Sequence, residues 1–218
     1  MNAVSRAWGH LPAGVRGLVA LVVLTGGVSL AGAYSRTFDL YGPLALWPGE
    51  FWRGRVWQAV TYAWLPGGPA DLIFYGFLLA ILGTRLEMGL GRREFWLFCL
   101  VGLVGTAIAR LALTPLSSAP LVGMGGVVFA MFAAWYRLFP NEEVMLMATW
   151  RMSMRSAILI VAGLIIMFGL LSRCGFWNAV ATLGGGGIGW LYLAAQSAWR
   201  SRRGPRVLPS ERIRRLEL

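Results

Sequence analysis

Six apolar segments follow one another along the chain, each close to the ~20 residues that a helix needs to cross ~30 Å of hydrocarbon. A backbone inside lipid must satisfy its own hydrogen bonds, so segments of this kind are predicted to be helices. The composition agrees, because hydrophobic residues make up 57% of the chain and charged residues only 13%. We therefore predict an all-α integral membrane protein with six transmembrane helices. The segments run over residues 17–34, 71–91, 94–113, 121–139, 155–172 and 176–197.

These segments divide the chain into an N-terminal tail over residues 1–16, a membrane domain over 17–197 and an arginine-rich tail over 198–218. The net charge of +11 could suggest a nucleic-acid partner. However, many of the arginines lie in short stretches between or after apolar segments, and no basic face interleaved with stacking aromatics is present. The predicted partner of the basic residues is the lipid bilayer, and no nucleic acid is expected.

The distribution of arginine predicts the orientation of the helices. When loops and ends are counted alternately, most arginines fall on the side of both termini, including Arg92, Arg93 and seven between residues 200 and 215. Both termini are therefore predicted to be cytoplasmic. An alternative interpretation takes residues 6–33 as a cleaved signal peptide, since the apolar stretch ends at the small residues Ala31, Gly32 and Ala33.

The loop between the first two segments, residues 36–70, is long and rich in aromatic residues and prolines. Trp47, Trp52, Trp57 and Trp64 all fall within it. Amphipathic aromatic rings favour the headgroup layer of a bilayer, which predicts that this loop lies there. The alternative is an ordinary aromatic belt at the ends of the helices.

The second segment carries Gly83, Glu87 and Gly91 at intervals of four residues, which places a carboxylate between two glycines on one helical face. Together with Trp57 and Gln58 before it, this motif resembles the rhomboid family of intramembrane serine proteases. The likeness extends over residues 51–199, and it implies a six-helix bundle with a long aromatic first loop. The turn at Phe139-Pro140-Asn141 also looks like the cytoplasmic turn of the family.

The resemblance also indicates where catalytic residues would lie, and this chain departs from the family at each position. The nucleophilic serine is replaced by Gly125 and the histidine by Thr182. The His-xxx-Asn pair that helps to stabilise the oxyanion is replaced by Asp71 and Tyr75. A glycine has no nucleophile, and a threonine hydroxyl does not accept a proton near neutral pH. The resemblance therefore implies an inactive member, a pseudoprotease without catalytic residues.

Other hydrolytic mechanisms lack their residues as well. The chain has no lysine, its only histidine is His10 in the N-terminal tail, and its only aspartates are Asp39 and Asp71. These counts exclude a serine-lysine dyad and a His-Glu-xx-His zinc site. Ser117 and Ser118 have no histidine to activate them. We expect no metal and no cofactor.

The expected function follows from this likeness. Inactive relatives of rhomboids, such as derlins and inactive rhomboids, act on the stability or trafficking of membrane proteins, so we expect binding to transmembrane helices of client proteins in a bacterial inner membrane. One alternative is an active peptidase with an unrecognised nucleophile at Ser117, Ser118 or Thr182. A second alternative is a small-solute transporter, although no internal repeat supports it.

Small residues and charged side chains in the apolar segments predict several packing contacts. Small residues on one face of the fourth helix, Gly126, Ala130 and Ala134, and Gly185 and Gly189 on the sixth predict that these two helices meet. We expect Glu87 to brace the first loop near Trp57 and Gln58. Arg85 and Arg110 are expected to snorkel to the interface or to pair with Glu87 or phosphates. Asp71 and Tyr75 are expected at the outer mouth of a cavity, where they are candidate ligand contacts.

Overall fold

A computed structural model describes residues 11–35, 39–138, 143–146, 150–171 and 175–202. The N-terminal tail through His10, the predicted turn over 139–141 and the basic tail beyond residue 202 lie outside these ranges. The described chain is mainly α-helical. Its long helices are α1 Ala13–Ser35, α2 Pro69–Leu90, α3 Arg92–Leu113, α4 Gly125–Leu138, α5 Met154–Leu171 and α6 Gly175–Arg202.

Local sequence explains where α2 begins and ends. Pro69 occupies the first position of α2, where its missing N–H costs no helical hydrogen bond. Gly91 follows the last residue of α2 with a φ of +85°, a conformation that favours glycine, and α3 begins at the next residue. Gly91 is therefore the hinge between two helices. A β-carbon at Gly91 would meet nothing within 4 Å, so this glycine serves the turn of the backbone and not the packing of helices.

Three of the described helices, α1, α2 and α3, are long and apolar enough to cross a membrane. Helix α4 has 14 residues, about 21 Å, and is shorter than predicted. It starts later than expected because Gly123 has a φ of +90° and turns the chain just before it. Helix α6 is also long, but the glycines over 184–187 lower its mean hydropathy. It is therefore not among these three helices.

Helix α4 forms the centre of the bundle. It packs against α2, α3, α5 and α6, while α6 also lies along α3 and α5. Most residues of α4 are buried, and they lie on all sides of the helix, which is typical of a helix enclosed by other helices. Helix α1 packs mainly on α2 at the periphery.

A short β-hairpin connects α4 and α5. Its strands, β1 Glu143–Leu146 and β2 Trp150–Ser153, pair antiparallel with Glu143 opposite Ser153. This hairpin adds two short strands to the predicted all-α architecture.

The first loop folds onto the bundle through three short α-helical turns, Tyr41–Leu44, Pro48–Phe51 and Gln58–Thr61, followed by a 3-10 turn, Tyr62–Trp64. Leu46 pairs with Leu121 through two backbone hydrogen bonds, which joins this loop to the one before α4. The buried Tyr62 donates its phenolic hydrogen to Leu103 O at 2.8 Å. Burial raises the pKa of Tyr62, so the phenol remains a hydrogen-bond donor.

Candidate functional site

The candidate site lies at the start of α4, where the chain turns at Gly123. The backbone N–H of Gly123 donates to Tyr62 O at 3.1 Å, so the first loop holds this turn in place. Gly125, the first residue of α4, follows directly. The position of Gly125 is therefore determined by a hydrogen bond from another part of the chain as well as by its own helix.

Gly125 faces Thr182 of α6. A β-carbon at Gly125 would lie 3.5 Å from Thr182 Cγ2 and 3.6 Å from Thr182 Oγ1. The Thr182 hydroxyl donates to Asn178 O one turn earlier, at 2.8 Å. The two positions singled out by the sequence are thus adjacent, and neither side chain supplies a nucleophile with a base.

Tyr75 of α2 completes this cluster. Its Oη lies 3.4 Å from the position of a β-carbon on Gly125, and its Cε2 lies 3.2 Å from that of a β-carbon on Gly123. The aromatic ring therefore lies against the turn that begins α4. It occupies space beside both Gly123 and Gly125.

Asp71 lies one turn before Tyr75 and organises the start of α2. Its Oδ2 accepts a hydrogen bond from Gly67 N at 3.1 Å, and a carboxylate in the first turn of a helix is also favoured by the helix dipole. Tyr41 supports the same turn by donating to Pro66 O at 2.6 Å. Burial, together with the Asp39 and Asp71 carboxylates, raises the pKa of Tyr41. The Asp71 carboxylate therefore has a structural partner in the backbone N–H of Gly67.

Thr106 of α3 lies where α3, α4 and α6 converge. A β-carbon at Gly126 or at Gly185 would overlap the Thr106 side chain. A β-carbon at Gly189 would lie 2.7 Å from Ala130 Cβ. The prediction that α4 and α6 meet through small residues is confirmed, and Thr106 fills the gap between them. The sequence did not predict this role for Thr106, because a single threonine in a membrane helix is not part of a recognisable motif.

The loop before α4 is held by side chains from two helices. Arg110 of α3 donates through Nη2 to Ala119 O at 2.9 Å and to Ser117 Oγ at 3.3 Å. Asn178 of α6 donates to Pro120 O at 3.3 Å. Arg110 is only 1% exposed, so the expectation that it snorkels to the interface is wrong. Its partners belong to the loop because the guanidinium points into the protein.

The hydroxyl of Ser117 is part of this loop structure. Besides contacting Arg110, its Oγ accepts a hydrogen bond from Ala119 N at 3.2 Å. Ser118 is exposed. Within the described residues, no group of three or more His, Cys, Asp or Glu side chains is placed to hold a metal ion.

Glu87 has partners other than those expected. Its Oε1 accepts from Gly14 N at 2.9 Å and its Oε2 accepts from Val15 N at 2.7 Å, both at the beginning of α1. The expected brace to Trp57 and Gln58 is therefore wrong. The carboxylate instead binds backbone N–H groups that the first turn of a helix leaves unsatisfied.

Trp57 and Gln58 stabilise the first loop itself. The indole of Trp57 donates to Pro43 O at 3.1 Å, and the buried Gln58 accepts from Trp47 N at 3.2 Å. Gly83 lies against α1 and α3, since a β-carbon there would be 3.1 Å from Val15 Cγ2 and 3.4 Å from Phe95 Cζ. Arg85 is exposed. Trp57 and Gln58 therefore stabilise the first loop, whereas Gly83 allows α2 to pack closely on α1 and α3.

A family model described as the Rhomboid domain matches residues 53–199. The match starts in the first loop and ends in α6, so α1 lies before it. No curated protein matches the chain.

Proposed function

The chain belongs to the rhomboid family, and from this premise we propose that it is an inactive member that binds the transmembrane helices of client membrane proteins. The observation that carries the proposal is the cluster of Gly125, Thr182 and Tyr75. The resemblance of the motifs implies that these residues stand where the family has its serine, histidine and oxyanion-stabilising asparagine. The cluster keeps the proximity that proteolysis needs without the chemical groups.

The chemistry of this cluster argues against peptide hydrolysis. Acyl transfer needs a nucleophile, a base that accepts its proton and donors that stabilise the oxyanion. Gly125 has no side chain, and the Thr182 hydroxyl donates to its own helix. Removing a single oxyanion donor typically costs ~2.7–4 kcal/mol of transition-state stabilisation. The combined replacements therefore support the proposal that this site does not cleave peptides.

The arrangement of α2 and α5 supports binding of a helix. Helix α5 packs on α4 and α6, and α2 packs on α1, α3 and α4, with little contact between α2 and α5. The outward face of α2 is apolar and exposed at Ile73, Phe77 and Ile81. A β-carbon at Gly76 would meet nothing within 4 Å, which leaves room for a close approach by a second helix.

The absence of activity can be tested by restoring the catalytic residues. Three proteins are reconstituted with a fluorescent single-span substrate: the natural chain, Gly125→Ser with Thr182→His, and that pair combined with Asp71→His and Tyr75→Asn. We expect no cleavage by the natural chain and cleavage by the fourfold variant. Cleavage by the natural chain, or its labelling by a fluorophosphonate at Ser117, Ser118 or Thr182, would show an active peptidase instead.

Client binding can be tested separately by photocrosslinking in membranes. A photoreactive amino acid is placed at Phe77 on the exposed face of α2, or at Ile108 on the exposed face of α3 as the matched control. We expect crosslinks to single-span proteins from position 77 and not from position 108. Equal crosslinking from both positions would contradict a binding face on α2.

We also propose that the six long helices all traverse a bacterial inner membrane, with both termini in the cytoplasm. The test uses a chain with Cys99→Ala and Cys174→Ala, and with either Ser118→Cys before α4 or Leu138→Cys at its end. An impermeant maleimide should label the first variant in intact spheroplasts and the second only after permeabilisation. The reverse pattern would contradict this orientation.

A further inference from the structure

An apolar cleft separates α1 from the first loop, outside the cluster at Gly125. Its volume is about 280 Å³. Leu24 and Val28 line it from α1, and Leu44 and Trp64 line it from the loop. The cleft therefore lies between a membrane-spanning helix and a segment that folds back onto it.

The hydroxyl groups that line this cleft donate their hydrogens to backbone carbonyl oxygens. Thr25 donates to Leu21 O at 2.6 Å, Ser29 donates to Thr25 O at 2.7 Å, and Thr61 donates to Leu44 O at 2.8 Å. A buried water requires two to four polar partners, and these walls offer few. The surface of the cleft is therefore suited to hydrocarbon.

The size of the cleft matches a segment of an alkyl chain. An apolar cavity of ~150 Å³ accommodates benzene, which has six carbons. The cleft has nearly twice that volume, so it accommodates about a dozen carbons by the same comparison. This is the scale of most of a lipid acyl chain.

The position of the cleft gives such a chain direct access. Its α1 residues lie 6 to 11 positions before Ser35, where α1 ends, or about 9–16 Å along the helix axis. This depth falls inside the hydrocarbon layer. Leu24 is 67% exposed and Val28 is 53% exposed, so the wall of the cleft continues into the outward apolar face of α1.

Charge near the cleft favours an acidic headgroup. Arg53 and Arg55 both pair with Glu50, at 3.0 and 3.2 Å, which leaves one positive charge in excess. Arg55 is six residues from Thr61 in the wall of the cleft, so the chain keeps them within about 20 Å. This upper limit is about the thickness of one leaflet, so one phospholipid can reach from the cleft to the arginines.

We infer that this cleft holds an acyl chain of an anionic bilayer phospholipid, whose headgroup lies at the Arg53 and Arg55 pair. The occupant lies between α1 and the first loop and fills space that neither segment fills. The site is independent of the client-binding surface on α2, so the two proposals can fail separately.

Photolabelling of the full chain in phosphatidylcholine nanodiscs tests this site. The probe is phosphatidylglycerol with a diazirine in the middle of one acyl chain, added as a minor component. We expect labelling of residues 21–29 and 40–65 to exceed labelling of the exposed α2 face, residues 73–81, by about tenfold. Equal labelling of these regions would overturn the inference.

Two matched variants of α1 sharpen the test. Val28→Trp fills the cleft, whereas Val23→Trp adds the same bulk at another exposed position of α1 that does not line it. We expect Val28→Trp to reduce labelling of the cleft by about tenfold and Val23→Trp to leave it unchanged. If the cleft is labelled equally in the two variants, the inference is overturned. If Val28→Trp does not fold, the ratio measured on the natural chain decides alone. A phosphatidylcholine probe that labels the cleft as strongly as phosphatidylglycerol would overturn the assignment of an anionic headgroup.

Discussion

Glu87 and Gly14 join α2 to the start of α1, since Gly14 N donates to Glu87 Oε1 at 2.9 Å across 73 residues of sequence. Val15 N donates to the other carboxylate oxygen at 2.7 Å. The carboxylate thus serves as the N-terminal cap of a helix that is distant in sequence. A negative group at this end of a helix is also favoured by the helix dipole. This contact attaches α1, which lies before the matched family domain, to the rest of the bundle.

Removing the carboxylate should weaken the attachment of α1. Hydrogen bonds to charged groups contribute about 1.5–3 kcal/mol each, and Glu87 is only 7% exposed. We therefore expect Glu87→Ala to lower the free energy of unfolding by about 3 kcal/mol, with faster hydrogen exchange at the first turn of α1. Unfolding in mixed micelles measures the first effect. Glu50→Ala, at a half-buried position of the first loop where the carboxylate pairs with Arg53 and Arg55, should change stability by less than about 1 kcal/mol; an equal loss would contradict the role of Glu87.

Gly14 should tolerate no side chain, although Gly27 of the same helix should. A β-carbon at Gly14 would lie 2.7 Å from Glu87 Oε2, whereas one at Gly27 would meet nothing within 4 Å. We expect Gly14→Ala to destabilise the protein by about 1–3 kcal/mol. Gly27→Ala should stabilise it by about 0.5–1 kcal/mol, because alanine favours the helix. The same unfolding assay compares the two, and a neutral Gly14→Ala would show that the carboxylate can move aside.

Thr106 should determine how α4 and α6 tolerate larger residues. We expect Gly126→Ala and Gly185→Ala each to cost about 2 kcal/mol, because the new methyl group would overlap Thr106. Thr106→Ala should recover part of each loss, which a double-mutant cycle would report as a coupling energy of about 1 kcal/mol. Gly187→Ala, on the same helix with open space around it, serves as the control. Additive losses would mean that Thr106 is not the obstacle.

Arg110 should be required for order in the loop before α4. Arg110→Ala removes the donor to Ser117 and Ala119 and leaves a cavity around a residue that is 1% exposed. We expect a loss of about 2–5 kcal/mol and faster proteolysis within residues 114–121. Arg85→Ala is the matched control because Arg85 is exposed. Unchanged cleavage of the loop in Arg110→Ala would contradict this role.

The sequence pattern predicted the long helices and the site at Gly125 for physical reasons. Apolar segments in lipid have few alternatives to the helix, so their approximate bounds follow from hydropathy alone. The proximity of Gly125 and Thr182 came from resemblance, since the family pattern carries information about contacts between distant helices. Small residues on α4 and α6 supplied a second signal for the same contact.

Other contacts could not be predicted because their partners carry no local pattern. Glu87 bonds to backbone N–H groups, which every residue possesses, so Gly14 and Val15 had no distinguishing mark. Arg110 was expected at the interface because charge usually avoids burial. Its burial depends on a loop carbonyl at Ala119, whose position only the folded chain determines. The late start of α4 depends on the positive φ of Gly123.

The close packing around Thr106 restricts the motion of some helices of the bundle more than that of others. Helices α3, α4 and α6 interlock at glycines that leave no room for a methyl group, so they have little freedom to slide or rotate as separate bodies. Helix α5 and the outward side of α2 carry no comparable constraint in the described chain. Conformational change on binding a client would therefore be confined to these outer elements, moving against a rigid central unit.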